Sequence, residues 1–281
     1  MNILSQTVPL QYDTIFSPYA AREWKSAFAD IGRKGFTGAE IAVAYPDRID
    51  TDELNREAEK NGLAITTIST GQIFGLEGLF LASAEKQIRE RAMDIVRGHI
   101  ALSQKIGRPR VTVGLLRGKP DQPVELSLRL LGEAMLPLAE LAEKNDVLLQ
   151  LEPINRAETT FLHGTRETLR FIDSLGNPGH VGILYDTYHS NLEDGDMAEA
   201  IAEAGARITN VHIADSHRGL PGEGTIDFPG IVAAILKTGY GGAFALETLC
   251  VPTREHVLAC EGEALAGAVR QAQAIGQKTE F

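Results

Sequence analysis

The feature that most constrains this chain is a rhythm. A short apolar or β-branched run, a polar loop and a stretch with helical spacing recur in order along its length. Candidate strands are Ile3–Val8, Ala39–Val43, Ile65–Ser69, Val111–Val113, Val147–Glu152, Val181–Asp186, Ile208–Ile213 and Ala243–Glu247. Runs of this kind alternating with helices build βαβ units and a parallel sheet. Between them, Ile88, Ala92, Ile95, His99, Leu102 and Ile106 fall on one helical face, as do Leu131, Met135, Leu138 and Leu141 before a stop near Asn145. Leu169, Ile172 and Leu175 follow a candidate N-cap at Thr165. Phe228, Ile231, Val232, Ile235 and Leu236 form a stripe that stops at Gly239. Trp24 and Phe28, one helical turn apart, are expected to pack between helices. Eight strands in strict alternation with seven or eight helices predict a closed (β/α)₈ barrel, an α/β fold of roughly 250 residues. With 281 residues and no linker or low-complexity tract, the expectation is a single domain over residues 1–281. An open doubly wound sheet is the other arrangement, but no GxGxxG follows a first strand.

Four candidate strands of the C-terminal half end in, or just before, a side chain able to bind a metal. LLQLEP ends with Glu152, GILYDTYH supplies Asp186, NVHIAD supplies His212 and FALETL supplies Glu247. Successive members lie 34, 26 and 35 residues apart, each close to one βα unit. In a barrel the C-terminal strand ends converge on one face, where the active site is built. Taken singly, each residue reads as a helix cap, a loop charge or a packed histidine. Four in succession would leave unpaired polar groups at the mouth of a core unless something joined them. A single divalent metal does so. Three carboxylates and one imidazole are a hard, oxygen-rich donor set, which favours Mn²⁺, with Mg²⁺ and Co²⁺ as alternatives, over a thiolate-type zinc site. Four protein ligands on an ion that prefers about six leave two positions for neighbouring substrate oxygens.

Composition narrows the partners. Apolar residues make up 43% and charged residues 23%, and no run is long enough for a membrane-spanning helix. The formal charge of −11 disfavours a phosphate backbone as ligand, so no nucleic-acid partner is expected, and no membrane. The first residues, MNILSQTVPLQYD, lack a basic segment followed by an apolar one. Cys250 and Cys260 make neither a disulfide framework nor a zinc knuckle, so the expected location is the cytoplasm.

The stretches LEPINRAE (151–158), DTYHSNLEDGD (186–196), VHIADSHRGLPGEGTIDF (211–228) and ALET (245–248) together resemble the xylose-isomerase-like barrel superfamily. Within it, they are most similar to the ketose 3-epimerases of the tagatose and psicose type. They span most of the C-terminal half; the N-terminal half matches in its barrel rhythm alone. The resemblance implies metal ligation by Glu152, Asp186, His212 and Glu247, with Glu152 and Glu247 doubling as the catalytic acid and base. It also implies that Glu158, His189 and Arg218 hold a sugar substrate, and that the chain assembles as a homodimer or homotetramer. The chemistry is coherent. The proton beside a ketone is weakly acidic, a metal on the carbonyl oxygen stabilises the enediolate left by its removal, and a second acid returns the proton on the opposite face.

Shifting the carbonyl by one carbon turns the same apparatus into an aldose–ketose isomerase of the hydroxypyruvate or keto-inositol kind. A second class, a DNA-repair endonuclease of the endonuclease IV type, shares the Asp-x-x-His pattern of Asp186 and His189. It needs further histidines after strands three and four, where this chain reads ISTGQIF and VTVGLLRG. Among the remaining residues, His99 is expected in packing and His256 on the surface, while His163 and His180 occupy loops without an assigned role. Glu40 either lines the barrel or caps its lower end. Gly71 and Phe74 are pocket-wall candidates, and Asp227 is expected to cap the helix that contains Ile231.

Overall fold

The computed structural model describes residues 2–278, so residues 1 and 279–281 at the edges of the expected domain lie outside the described residues. Eight parallel strands close on themselves in sequence order: β1 Ile3–Pro9, β2 Gly38–Ala42, β3 Ala64–Ser69, β4 Arg110–Val113, β5 Leu149–Leu151, β6 Val181–Asp186, β7 Ile208–Ile213 and β8 Ala243–Leu246. The ring is completed by β1 against β8, with Ile3 opposite Ala243 and Gln6 opposite Leu246. Every residue of β2, β5, β6 and β8 is buried. A barrel strand is covered by helices outside and by other strands' side chains inside, so its sequence reads as a continuous run, not an alternation. The (β/α)₈ expectation therefore holds, and the strand bounds shift by no more than two residues at either end. The largest shift is at β5, which loses Val147, Leu148 and Glu152 and keeps three residues.

Helices fill the crossovers. Along Lys86–Lys105 the buried row comprises Ala92, Val96, His99, Ile100, Leu102 and Ser103, so the face is rotated slightly from the expected stripe, and Ile88 and Ile95 sit at its edge. In Val124–Lys144, Leu131, Met135 and Leu138 are fully buried and Leu141 is partly so. Trp24 and Phe28 meet edge to face with centroids 5.3 Å apart. Asp227 caps Phe228–Lys237, accepting from the Gly230 amide at 3.2 Å, and Gly239 takes φ +83° just beyond that helix, the left-handed turn that glycine permits.

Thr165 is a correction. It is the first residue of the helix Thr165–Ser174, not its cap; Gly164 precedes it and the Thr165 hydroxyl donates to Asp194 at 2.6 Å. A tertiary acceptor thus took the hydroxyl from its local role. Two short helices not foreseen as separate elements, Gln72–Glu77 and Thr187–Glu193, sit in the loops after β3 and β6, on the face where the strand C-termini emerge.

Candidate metal centre and active-site cavity

Glu152 directly follows β5, Asp186 is the last residue of β6, His212 lies one residue before the end of β7, and Glu247 directly follows β8. The barrel register sets Asp186 opposite His212 and brings one oxygen or nitrogen of each of the four within 4.8 Å of all the others. At the middle is His212 Nδ1, 3.7 Å from a Glu152 oxygen, 3.6 Å from an Asp186 oxygen and 3.6 Å from a Glu247 oxygen. All four residues are buried.

Two atoms of this cluster, Asp186 Oδ2 and His212 Nδ1, are buried without a hydrogen-bond partner. Buried polar groups without partners are rare because each forfeits its hydration. Here they face the same point. The other Asp186 oxygen is occupied, accepting from the backbone amides of Tyr188 at 2.7 Å and His189 at 3.1 Å as the cap of Thr187–Glu193. Three carboxylates and an imidazole with two unused donor atoms turned inward fit a hard divalent cation. The cluster is thus a metal-binding arrangement, drawn from four different strand ends as the spacing predicts.

Burial and mutual charge shift the titration of Asp186, His212 and Glu247. Burial pushes the Glu247 carboxyl up to about 8, and the negative charges of Glu152 and Asp186 add to that effect. For Asp186, burial also acts upward, but its neighbours His189, His212 and Arg218 outweigh it and hold the carboxyl well below its usual range. His212 shows the converse. Burial acts downward, yet Glu40, Glu247, Asp186 and Glu152 carry its imidazole well above the ordinary value.

A cavity of about 780 Å³, counting the open space at its mouth, lies above the cluster. Its lining includes Glu152, Glu158, His189, Arg218 and Glu247 together with Thr14, Phe16, Ser69, Thr70, Gly71 and Gln72. Arg218 joins two of these acids. It donates to Glu158 at 2.9 Å and to Glu247 at 3.0 Å, and its guanidinium stacks on Phe16 at 4.0 Å and Tyr188 at 4.9 Å. Burial opposes its charge, but Glu247, Asp186 and Glu158 more than restore it, so it stays cationic. The loop that carries it is fastened by Asp215, whose carboxylate accepts from the amides of Ser216, Gly222, Gly224 and Ile226. Within that loop Arg218 adopts φ +62°, a left-handed conformation uncommon away from glycine, maintained by the Arg218 amide on Asp215 and the Leu249 amide on the Arg218 carbonyl, both at 2.7 Å.

His189 sits one turn into the Asp186-capped helix. Its Nδ1 accepts from the Asn155 side-chain amide at 2.9 Å, which leaves Nε2 as the edge nearest Glu152, at 4.0 Å. Burial, only partly offset by Asp186 and Glu152, lowers its pKa and keeps the ring neutral.

Several contributors were not legible as site residues. Arg117, fully buried in the turn after β4, spends its guanidinium on the carbonyls of Gly114, Glu152, Phe161 and Leu162 and on the Thr159 hydroxyl. It thereby ties the Glu152 loop to the end of β4. Gly114 leaves room for the carboxylate itself: a Cβ there would lie 2.3 Å from Glu152 Oε2. The sequence hinted at neither role, since an arginine and a glycine after an apolar run mark any loop. Glu40, in contrast, was visible as a charge inside a strand; it lines the barrel and meets His212 Nε2 at 3.0 Å. Gly71 reaches the cavity wall, whereas Phe74 packs edge to face on Phe80, 6.0 Å away. His99 is packed as expected, donating through Nε2 to the Val43 carbonyl at 2.8 Å, and His256 pairs with Glu223 near the surface.

The comparisons with known proteins agree with this geometry. A profile described as xylose isomerase-like TIM barrel matches residues 28–271. The L-ribulose 3-epimerase of Mesorhizobium japonicum (strain LMG 29417 / CECT 9101 / MAFF 303099) is 30% identical over 233 residues, covering 82% of this chain and 76% of that protein. The hydroxypyruvate isomerase of Escherichia coli (strain K12) is 27% identical over 229 residues, 78% of this chain and 85% of that one. A solved structure of L-ribulose 3-epimerase superposes with a TM-score of 0.84 at 26% identity, over 100% of this chain and 97% of the other. With a profile match over most of its length and an eight-stranded barrel whose strand ends carry the metal cluster, the chain belongs to the xylose isomerase-like TIM barrel family.

Proposed function

We propose that this protein is a divalent-metal-dependent ketose 3-epimerase that acts on a sugar in the cavity above Glu152, Asp186, His212 and Glu247. The observation that carries the reading is the convergence of three carboxylates on one imidazole nitrogen, in a buried site with two unsatisfied donor atoms, at the floor of an open cavity. The relatives named L-ribulose 3-epimerase and ketose 3-epimerase support the reaction class. The hardness of the donor set favours Mn²⁺, with Mg²⁺ or Co²⁺ able to replace it.

A bound divalent ion supplies Lewis-acid polarisation of a ketone and its neighbouring hydroxyl, which acidifies the carbon between them. The chain's own residues do the rest. Glu152 and Glu247 come from strands three apart around the ring, so their carboxylates reach a molecule in the cavity from different sides. One removes the proton from carbon 3 and the other returns a proton to the opposite face. Arg218, fixed by Glu158 and Glu247 and packed on Phe16 and Tyr188, presents a permanent positive charge to substrate oxygens. His189, neutral and oriented by Asn155, donates from Nε2 to the oxygen on which negative charge develops. Glu158 accepts from a substrate hydroxyl while bracing Arg218. The unpaired Cys250 and Cys260 are in keeping with a cytoplasmic enzyme, and assembly as a homodimer or homotetramer belongs to the same proposal.

The direct test is solvent exchange. Incubated in D₂O with Mn²⁺, the enzyme should place deuterium at carbon 3 of a C5 or C6 ketose and yield the 3-epimer. Absence of exchange with every C3 to C6 ketose would exclude proton transfer. Glu152→Gln and Glu247→Gln should each lower turnover by a factor of about 10² to 10⁴; wild-type turnover in either would remove that residue from the proton path. A second reading, aldose–ketose isomerisation, has the hydroxypyruvate isomerase relative in its favour. It predicts label at a carbon that changes from carbonyl to hydroxyl, which product analysis separates from 3-epimerisation.

A further inference from the structure

Beneath the metal-binding cluster lies a charged residue that proton transfer does not use. Glu40 stands in the middle of β2, in the N-terminal half of the chain, and is fully buried. Both of its carboxylate oxygens lie 3.0 Å from His212 Nε2, and Oε2 also accepts from the Asn210 side-chain amide at 3.3 Å. His212 and Asn210 belong to β7, and β2 is not its neighbour in the ring: β1 and β8 stand between them. The contact therefore crosses the interior of the barrel. All three residues are 0% exposed.

A carboxylate in that place has a definite consequence for imidazole. A carboxylate can only accept, so the proton of a neutral His212 is held on Nε2, and the lone pair is left on Nδ1. Nδ1 is the atom that faces Glu152, Asp186 and Glu247 and has no hydrogen-bond partner. Two contacts from one carboxylate also set the plane of the ring, and Asn210 in turn sets the carboxylate. Packing alone does not account for the choice. A charge buried inside a barrel is costly unless it is paired, and an apolar side chain would fill the same space without leaving a carboxylate to satisfy.

We propose that Glu40 is a positioning residue of the metal centre: it holds the Nε2 proton of His212 and so presents Nδ1 to a divalent cation. The N-terminal half of the barrel thereby contributes to a site whose candidate ligands all come from the C-terminal half. The inference rests on the reading that Glu152, Asp186, His212 and Glu247 hold such a cation.

The test uses the full-length apo-protein and Mn²⁺ alone, titrated against a chromophoric chelator, with no substrate present. Glu40→Gln keeps the shape and one acceptor but not the charge; Glu40→Leu removes both. Partners of this kind are worth about 10- to 100-fold in metal affinity, so the expected Kd rises toward the low end of that range for Glu40→Gln and the high end for Glu40→Leu. Circular dichroism of each apo-protein checks that it is folded, and if Glu40→Leu is not, Glu40→Gln decides. A readout independent of affinity is the ¹⁵N spectrum of His212 in the Mg²⁺-loaded wild type, which should show the proton on Nε2 and none on Nδ1. Variants that bind Mn²⁺ within twofold of wild type, or a proton on Nδ1 in the loaded protein, would overturn the proposal. A wild type that binds no Mn²⁺ would instead overturn the metal reading on which it rests.

Discussion

At the scale of single residues, the buried ionisable groups hold the clearest expectations. His99 lies in the interior of Lys86–Lys105 with its ring bonded to the Val43 carbonyl, and burial lowers its pKa to about 4. In the unfolded chain the same group titrates near 6.5. As pH falls, the unfolded state takes up this proton first. The contribution of a neutral His99 to stability is therefore complete above about pH 6.5 and is lost progressively down to about pH 4, some 3 kcal/mol in all at ~1.4 kcal/mol per unit. His99→Gln, which can still donate to Val43, should flatten that part of the stability profile, as read by urea unfolding at a series of pH values. An unchanged slope would place the acid sensitivity elsewhere. Arg117 is the second case. Four carbonyls and a hydroxyl depend on its guanidinium. Burial lowers its pKa to about 10, low for an arginine yet far above neutrality, so the charge persists. Arg117→Met should cost about 3 kcal/mol or more, since each buried acceptor left alone costs about 1–3 kcal/mol. Turnover should also fall in the molecules that remain folded, because the Glu152 carbonyl is one of the four. A urea midpoint equal to wild type would show that those carbonyls find other donors.

At the scale of elements, the chain uses side chains twice. Asp186 closes a strand, caps the next helix with one oxygen and offers the other to the metal cluster. Strand, cap and candidate ligand are thus a single covalent unit, which fixes the ligand's direction without a long supporting loop. Asp227 is a simpler instance, a cap and nothing more. Asp227→Ala should lower stability by about 1 kcal/mol, the usual worth of an N-cap, with kcat and metal affinity unchanged. A lost metal equivalent in that variant would contradict the cap assignment. Helical faces were readable because periodicity reports burial directly, as Leu131, Met135 and Leu138 illustrate. The start of Thr165–Ser174 was not, because Asp194, distant in sequence, engages the threonine that local rules make a cap. Capping is a competition between acceptors, and a sequence window contains only the near ones.

For the whole molecule, closure of the barrel is what converts strand ends into a site. A divalent ion that binds the native state and not the unfolded chain should stabilise it by mass action. At a free concentration 100 times Kd the gain is about 2.7 kcal/mol, a rise in melting temperature of roughly 4–5 °C for a chain of 281 residues. Thermal unfolding with and without excess Mn²⁺, after chelator treatment, measures it. An identical Tm in both conditions would mean that the cluster does not bind the ion. The site is built in layers: the cluster on the strand ends, Arg218 above it on a loop and His189 on the short helix Thr187–Glu193, and Glu40 below it inside the barrel.

The sequence by itself determined the strand and helix order, because hydrophobic period is a local property that each βα unit expresses independently. It also determined which side chains end β5 to β8, since barrel geometry sends every strand's C-terminus to one face. It could not determine which side chains meet inside the barrel. Whether Glu40 faced His212 depended on ring closure, on the register shift between Ala39 and Glu40 against β3, and on the shift between Ile183 and Leu184 against β7. Nor could it reveal that Arg117 holds the Glu152 loop, or that Gly114 leaves space for its carboxylate. These are contacts between residues 35 to 172 positions apart. Tertiary structure alone decides them, because proximity across a closed barrel is a property of the assembled ring and not of any segment within it.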